Sequence, residues 1–186
     1  MVLASTDSAY GIQEGEMFED SPVNPISLYA RLKMELEGEL LSLRTPSFHP
    51  TVLRMATIYG YSPRMRFDLV INILSLHAWA SGKIKVFGGE QWRPLVHVED
   101  AARAYVMALD AELDKVSGEV FNVGSNEQNH QIGTLGEMVG EVFPDLKIET
   151  IPQTPDLRDY RVNFDKIRRV LGYEVQWEIR AGIAGI

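Results

Sequence analysis

Apolar positions along the chain switch between the short, continuous runs of buried strands and the wider spacing of helices. Val2-Leu3-Ala4-Ser5-Thr6 reads as a short buried strand running into Asp7-Ser8-Ala9-Tyr10-Gly11, which places the Thr6 hydroxyl at a strand's carboxyl end. Ile12 to Val23 is acidic and turn-rich, with Glu14, Gly15, Glu16, Glu19, Asp20 and Pro22, and reads as a loop. From Pro25 to about Arg44, Leu28, Leu32, Leu36, Leu40 and Leu43 recur at helical spacing. The spacing predicts a helix with this leucine stripe against the core, and with Tyr29 and Lys33 at the edge of the buried face. A strand is expected over Thr51 to Ile58, ending in Tyr59-Gly60, and Asp68 is read as the N-cap of a helix reaching Gly82.

Further on, Ile84-Lys85-Val86-Phe87 precedes the turn signal Gly88-Gly89, and the segment Trp92 to Asp100 leads into an alanine-rich helix ending near Ala111. A strand is expected from Glu119 to Val123, then a polar loop, a helix from Ile132 to Phe143 stopped by Pro144, and a strand from Leu146 to Ile151. A last helix runs from Phe164 to Leu171, with Gly172 as its C-cap. Strands alternating with helices predict an α/β domain, with residues 1–186 as one unit.

Composition narrows the function classes. A chain of 186 residues with 45% apolar and 24% charged content suits a single globular core. A formal charge of −8 lacks the basic footprint that nucleic acid or an anionic membrane needs, so neither is an expected partner. The absence of cysteine removes disulfides and thiolate metal sites and fits a reducing cytoplasm. No apolar run approaches the roughly 20 residues of a membrane span, and the start of the chain lacks the regions of a signal peptide. A cytoplasmic location is therefore expected. His49, His77, His97 and His130 show no ligand spacing, His97 being read as bonding a backbone group, and no metal site is expected. Trp79, Trp92 and Trp177 read as core or interface residues.

Candidate chemistry centres on Ser27-Leu28-Tyr29-Ala30-Arg31-Leu32-Lys33. Residues four apart on a helix are neighbours, so the Tyr29 phenol and the Lys33 ammonium look into the same space. A tyrosine titrates near pH ~10, so serving as a base near neutrality requires a shift of about three units, or roughly 4 kcal/mol. A neighbouring cation favours the phenolate. By itself the pair reads equally well as two solvated surface residues. Its surroundings are more telling: Ser5-Thr6-Asp7-Ser8-Ala9-Tyr10-Gly11 matches the strand-end pattern Ser/Thr-Ser/Thr-x-x-Val/Ala-Tyr-Gly, and the Tyr-x-x-x-Lys helix follows about twenty residues later. Leu53-Arg54 with Tyr59-Gly60, Arg93-Pro94-Leu95-Val96-His97-Val98-Glu99-Asp100 and Phe121-Asn122-Val123-Gly124 continue the match in order. Over nearly its whole length the chain resembles the extended short-chain dehydrogenase/reductase family, specifically its NAD-dependent nucleotide-sugar epimerases and dehydratases.

That resemblance implies a partial Rossmann-like, doubly wound sheet plus the smaller α/β substrate-binding region. It implies NAD as cofactor, a nucleotide sugar as substrate and a homo-oligomer formed through the Tyr-x-x-x-Lys helix. Tyr29 resembles the acid/base that takes a proton from a sugar hydroxyl as hydride leaves for NAD. Lys33 resembles the residue that lowers the tyrosine pKa and bonds the nicotinamide ribose, and Thr6 the hydroxyl that bonds the reacting oxygen. Asp7 stands as the first member of the Asp-Glu pair of the 4,6-dehydratases, but Ser8 replaces the glutamate, which favours an epimerase; a lone Asp here also reads as a turn residue. Arg93 and Arg158 resemble the diphosphate contacts, guanidinium forks being suited to paired phosphate oxygens. Thr57 stands where many members have Asn beside the sugar, and Asp68 where many have a capping Asn near the phosphates.

The family's Gly-rich turn, which lays backbone N–H groups against the dinucleotide pyrophosphate, has no counterpart here. Gly133, Gly136 and Gly140 fall inside a predicted helix and read as close-packing positions. The resemblance is thus to the later part of such an enzyme, its N-terminal dinucleotide-binding half being absent, and loose NAD binding and no activity alone are expected. Two alternatives stay open: a non-catalytic sugar-nucleotide-binding or assembly remnant, and a family reductase acting on another small carbonyl or hydroxyl compound, which Thr57 and Asp68 permit. An uncovered edge at Val2 to Thr6 and the apolar positions Met34 and Leu41 add to the expectation of self-association.

Overall fold

A computed structural model describes residues 1–152 and 156–186. The chain forms β1 (Val2–Thr6), a short 3-10 turn at Asp7–Ala9, β2 (Ile12–Met17), α1 (Leu28–Ser42), β3 (Thr51–Met55), β4 (Thr57–Tyr59), α2 (Val70–Ser81), β5 (Lys83–Phe87) and β6 (Trp92–His97). It continues with α3 (Val98–Asp110), α4 (Leu113–Val116), β7 (Val120–Val123), β8 (Asn129–Gln131), α5 (Ile132–Val142), β9 (Lys147–Ile151), β10 (Asp159–Val162), α6 (Asp165–Leu171) and α7 (Ile179–Ala184).

The expected α/β alternation is present, and its centre is a parallel sheet in the order β1-β3-β7. All five residues of β3 are buried, which is what a strand covered on both faces requires. Register places Arg54 of β3 beside Ser5 on one side and Asn122 on the other. A second group, β4-β6-β8, continues from the carboxyl end of β3, while β5 and β9 form a parallel pair. Three apolar clusters result among the described residues, the smallest of them Leu3, Leu40 and Val52 between α1, β1 and β3. One gathers Leu53, Phe121, Tyr160, Phe164, Ile167 and Tyr173 around β3 and β7. Another gathers Ile71, Leu74, Ile84, Leu95, Leu135 and Ile183 around α2, α5 and α7.

The glycines of α5 pack closely, as their sequence position implied: a Cβ on Gly136 would lie 2.7 Å from Val86 Cγ2, and one on Gly133 3.2 Å from the Gly89 carbonyl oxygen. Gly172 caps α6 with φ at 66°, the left-handed conformation a glycine adopts without strain.

The polar loop expected after Val123 contains β8, and α7 follows the helix expected to be the last. Four further expectations need correction. The acidic stretch after β1 is not all loop: Ile12–Met17 is a strand lying parallel to β10, paired by backbone hydrogen bonds that its mostly exposed side chains do not advertise. The strand expected over Thr51 to Ile58 is interrupted at Ala56, so β3 joins one sheet and β4 another. Asp68 does not cap α2; Leu69 holds that position without a side-chain bond, and Asp68 instead takes a two-pronged ion pair from Arg66 at 2.9 and 2.6 Å.

The leucine stripe of α1 is the fourth. Leu28, Leu32, Leu36 and Leu43 are 64%, 54%, 46% and 59% exposed, and only Leu40 is buried. The inward face is instead Ala30, Glu37 and Leu40, also at helical spacing. Glu37 belongs inside because its carboxylate receives the Arg54 guanidinium at 2.9 Å and 3.2 Å.

Candidate active-site cleft

The carboxyl ends of β1 and β3, the start of α2, the end of β5 and the start of β6 surround a cleft of about 940 Å³. Ligands of open α/β sheets bind at such strand ends. Thr6, Asp7, Tyr29, Thr57, Asp68, Arg93 and Arg158 all line it, so residues scattered over more than 150 positions converge. Lys33 sits behind them: its ammonium donates to the Ala4 carbonyl at 2.7 Å and lies 5.8 Å from the centre of the Tyr29 ring. Tyr29 is more than half exposed, at 55%, and the helix that carries it begins with Ser27, whose hydroxyl accepts from the Ala30 N–H at 3.1 Å.

At the end of β1 the backbone turns so that Thr6 Oγ1 accepts from the Ser8 N–H at 3.1 Å, leaving the Thr6 proton to donate elsewhere. Asp7, the next residue, is 1% exposed. Burial pushes its carboxyl up to about 7, opposed by the hydrogen bond from Tyr160 and by the charges of Arg158 and Arg93. Its Oδ1 accepts from the Tyr160 hydroxyl at 3.1 Å, while Oδ2 has no hydrogen-bond partner among the described residues. The Ser5 hydroxyl, also in the cleft wall, is likewise buried without one.

The arginines are organised by Asp156. Its carboxylate takes Arg158 Nε at 2.8 Å and Nη2 at 2.6 Å, together with Arg93 Nη2 at 2.9 Å. Burial would raise the Asp156 pKa, but the two guanidinium groups outweigh it and hold the carboxylate well below its usual range. Arg93 Nη1 also donates to the carbonyls of Trp92 and Arg158. Arg158 Nη1 reaches Ser8 Oγ at 3.2 Å. Thus Ser8 is a partner of the cleft arginine Arg158. The Arg66–Asp68 pair lines the same cleft as Tyr29. His97 does bond backbone, its Nδ1 accepting from the Glu99 N–H at 3.3 Å.

Tyr160 and Asp156 were not foreseen. Both lie in Asp156-Leu157-Arg158-Asp159-Tyr160, where only Arg158 resembles a family contact, and no spacing in the sequence marks a tyrosine that the fold buries against Asp7.

Residues 1–124 match the NAD dependent epimerase/dehydratase family, and the chain belongs to it. The uncharacterized UDP-glucose epimerase YtcB of Bacillus subtilis is 30% identical over 130 residues, covering 68% of this chain and 40% of that protein. The dTDP-glucose 4,6-dehydratase of Escherichia coli is 26% identical over 201 aligned positions, covering 96% of this chain and 54% of the enzyme. Among solved structures, MoeE5 in complex with UDP-glucuronic acid and NAD superimposes with a TM-score of 0.84 at 26% identity, covering 99% of this chain and 62% of that one. The chain spans about half the length of the curated relatives it matches.

One prediction follows from Asp7. An unfolded aspartate titrates near ~3.9, so the folded state holds a proton that the unfolded chain releases between there and about 7. Folding is thus progressively disfavoured as pH rises through that window, by at most about 1.4 kcal/mol per pH unit, and the penalty is complete above it. Asp7→Asn keeps the shape and removes the titration. Urea denaturation from pH 4 to 8 is expected to show the variant gaining stability relative to the parent as pH rises; parallel curves would refute the assignment.

Proposed function

We propose that this chain is the catalytic and nucleotide-sugar-binding part of an NAD-dependent epimerase. The observation that carries the reading is the convergence of Tyr29, Thr6 and Asp7 with the Arg93–Asp156–Arg158 cluster on one cleft. In this reading the Tyr29 oxygen takes the proton of a sugar hydroxyl, Thr6 donates to the same sugar oxygen, and Tyr29 later returns the proton. Lys33 fixes the strand end through the Ala4 carbonyl and supplies positive charge beside the phenol. Arg93 and Arg158 take the diphosphate. Each retains N–H groups not used by Asp156 or by the backbone among the described residues. Thr57 and Asp68 border the sugar and the nucleotide.

The orphaned Ser5 hydroxyl and the Lys33 ammonium fit the nicotinamide end of NAD, which when bound supplies reversible hydride acceptance. Nothing in this chain matches the turn that cradles the pyrophosphate. Epimerase is preferred to dehydratase because Ser8 supplies no second carboxylate and is engaged by Arg158. The 55% exposure of Tyr29 to solvent favours a second reading, a sugar-nucleotide-binding protein without turnover. A cytoplasmic setting suits either reading.

The functional test supplies UDP-glucose or dTDP-glucose together with excess NAD. Tyr29→Phe is expected to leave calorimetric nucleotide-sugar affinity within about threefold and to lower turnover by roughly 10²–10⁴-fold. Near-normal turnover in the variant would remove Tyr29 from the chemistry; binding without turnover in the parent would establish the second reading. NAD alone, titrated onto this chain, is expected to bind more weakly than micromolar, and a micromolar constant would show that other residues replace the missing turn.

Self-association completes the proposal. The outward leucines of α1 form an apolar stripe, and β1 has no partner on its outer edge among the described residues. Leu41 packs beside Leu3, Leu40 and Val52, so the informative substitutions are Leu32→Glu with Leu36→Glu. Light scattering is expected to show a dimer or larger that these changes reduce to a monomer. A monomeric parent at high micromolar concentration would refute the interface.

A further inference from the structure

The buried hydroxyl of Tyr160 has no part in the chemistry above. Tyr160 is 1% exposed and sits in β10, remote in sequence from β1 but directly behind its end. It donates to one oxygen of Asp7 and stands under the Arg93 guanidinium, 5.9 Å from the centre of its ring. The groups facing Asp7 are therefore Tyr160 from β10, Arg158 just before it, Arg93 from β6 and the Ser8 backbone N–H. Asp156 draws the charge of both arginines toward itself.

We propose that Tyr160 is a positioning residue: by donating to Oδ1 it makes that atom the carbonyl-like oxygen of Asp7, confines the carboxyl proton to Oδ2, and presents that O–H to an oxygen of the ligand in the cleft. A carboxylic acid has one proton to place, and the oxygen that already accepts a hydrogen bond is the poorer site for it. Oδ2 is the atom left without a partner in an otherwise closed environment. An unpaired buried polar atom carries a cost that a complementary ligand atom relieves. The complementary atom is an acceptor, such as a sugar hydroxyl or carbonyl oxygen, and a carboxylate base in that place would instead want a donor. Only the identity of the acceptor rests on the sugar-nucleotide reading; the Tyr160–Asp7 relation does not.

Infrared difference spectroscopy reads the protonated carboxyl directly. The parent protein is expected to show a carboxyl C=O band that is lost as pH rises through neutrality and is absent in Asp7→Asn. Tyr160→Phe removes a donor that favours the charged form, so the midpoint is expected to move upward by roughly half to one pH unit. A ring-fluorinated tyrosine at position 160, a stronger donor that retains the hydroxyl, is expected to move it downward. A titration unmoved by both replacements would overturn the positioning role, as would the lack of any Asp7-dependent band. Saturating UDP-glucose is expected to shift the band to lower frequency through the new hydrogen bond. An unshifted band despite calorimetric saturation would overturn the donor assignment and leave the sugar-nucleotide reading in place. Failure of UDP-glucose to bind at all would overturn that reading, while the ligand-free titrations would still decide the role of Tyr160.

Discussion

The ion pair between Arg54 and Glu37 holds the molecule in register. Arg54 lies in the middle of the fully buried strand β3, a place where a charge is tolerated only if paired and hydrogen-bonded. Glu37 on α1 supplies the pair, Tyr10 Oη accepts from Arg54 Nη1 at 3.1 Å, and the Glu19 carbonyl accepts from the same nitrogen. Tyr10 in turn donates to Asn122 Oδ1 at 2.7 Å on β7, and Asn122 donates to the Asn163 carbonyl near the start of α6. One guanidinium thereby joins α1, the turn after β1, β3, β7 and the approach to α6. Removing one partner of such a pair characteristically costs about 3–5 kcal/mol, because the other charge stays buried. The functional consequence lies about one and two helical turns away. With Glu37 fixed inward, Lys33 is directed to the Ala4 carbonyl and Tyr29 to the cleft mouth.

The cleft solves a second electrostatic problem. Two guanidinium groups stand near a buried carboxyl whose pKa burial pushes up to about 7. Unshielded, they would pull Asp7 into its ionised form. Asp156 bridges both arginines, while burial disfavours the Asp7 charge. The arrangement keeps two kinds of recognition apart within one cleft. The arginine cluster offers charged donors suited to an anion, and the end of β1 offers hydroxyl and carboxyl groups suited to neutral oxygens. A nucleotide sugar, the proposed substrate class, carries both features.

The sequence by itself determined the α/β order, the places of β1, β3, β5, β7 and β9 and of α1, α2, α3, α5 and α6, and the family. These depend on local patterning and on short motifs such as Ser5-Thr6-Asp7, Tyr29-x-x-x-Lys33 and Phe121-Asn122-Val123-Gly124. It also named seven of the residues that line the cleft, because motif residues keep their place relative to strand ends. Only the tertiary structure decided which face of α1 points inward. Leucine periodicity identified the apolar stripe correctly, but burial followed Glu37, whose partner is a strand away and invisible to any helical window. The strand character of Ile12–Met17 likewise arises from pairing with β10, about 150 residues later, and not from its own side chains. The roles of Asp156 and Tyr160 were decided in the same way. Each is an ordinary polar residue in a loop or edge strand until folding sets it within 3.1 Å of Arg93 and Arg158 in the first case, and of Asp7 in the second. Proximity between distant segments has no signature in local pattern, so the electrostatics of the cleft could be read only from the folded chain.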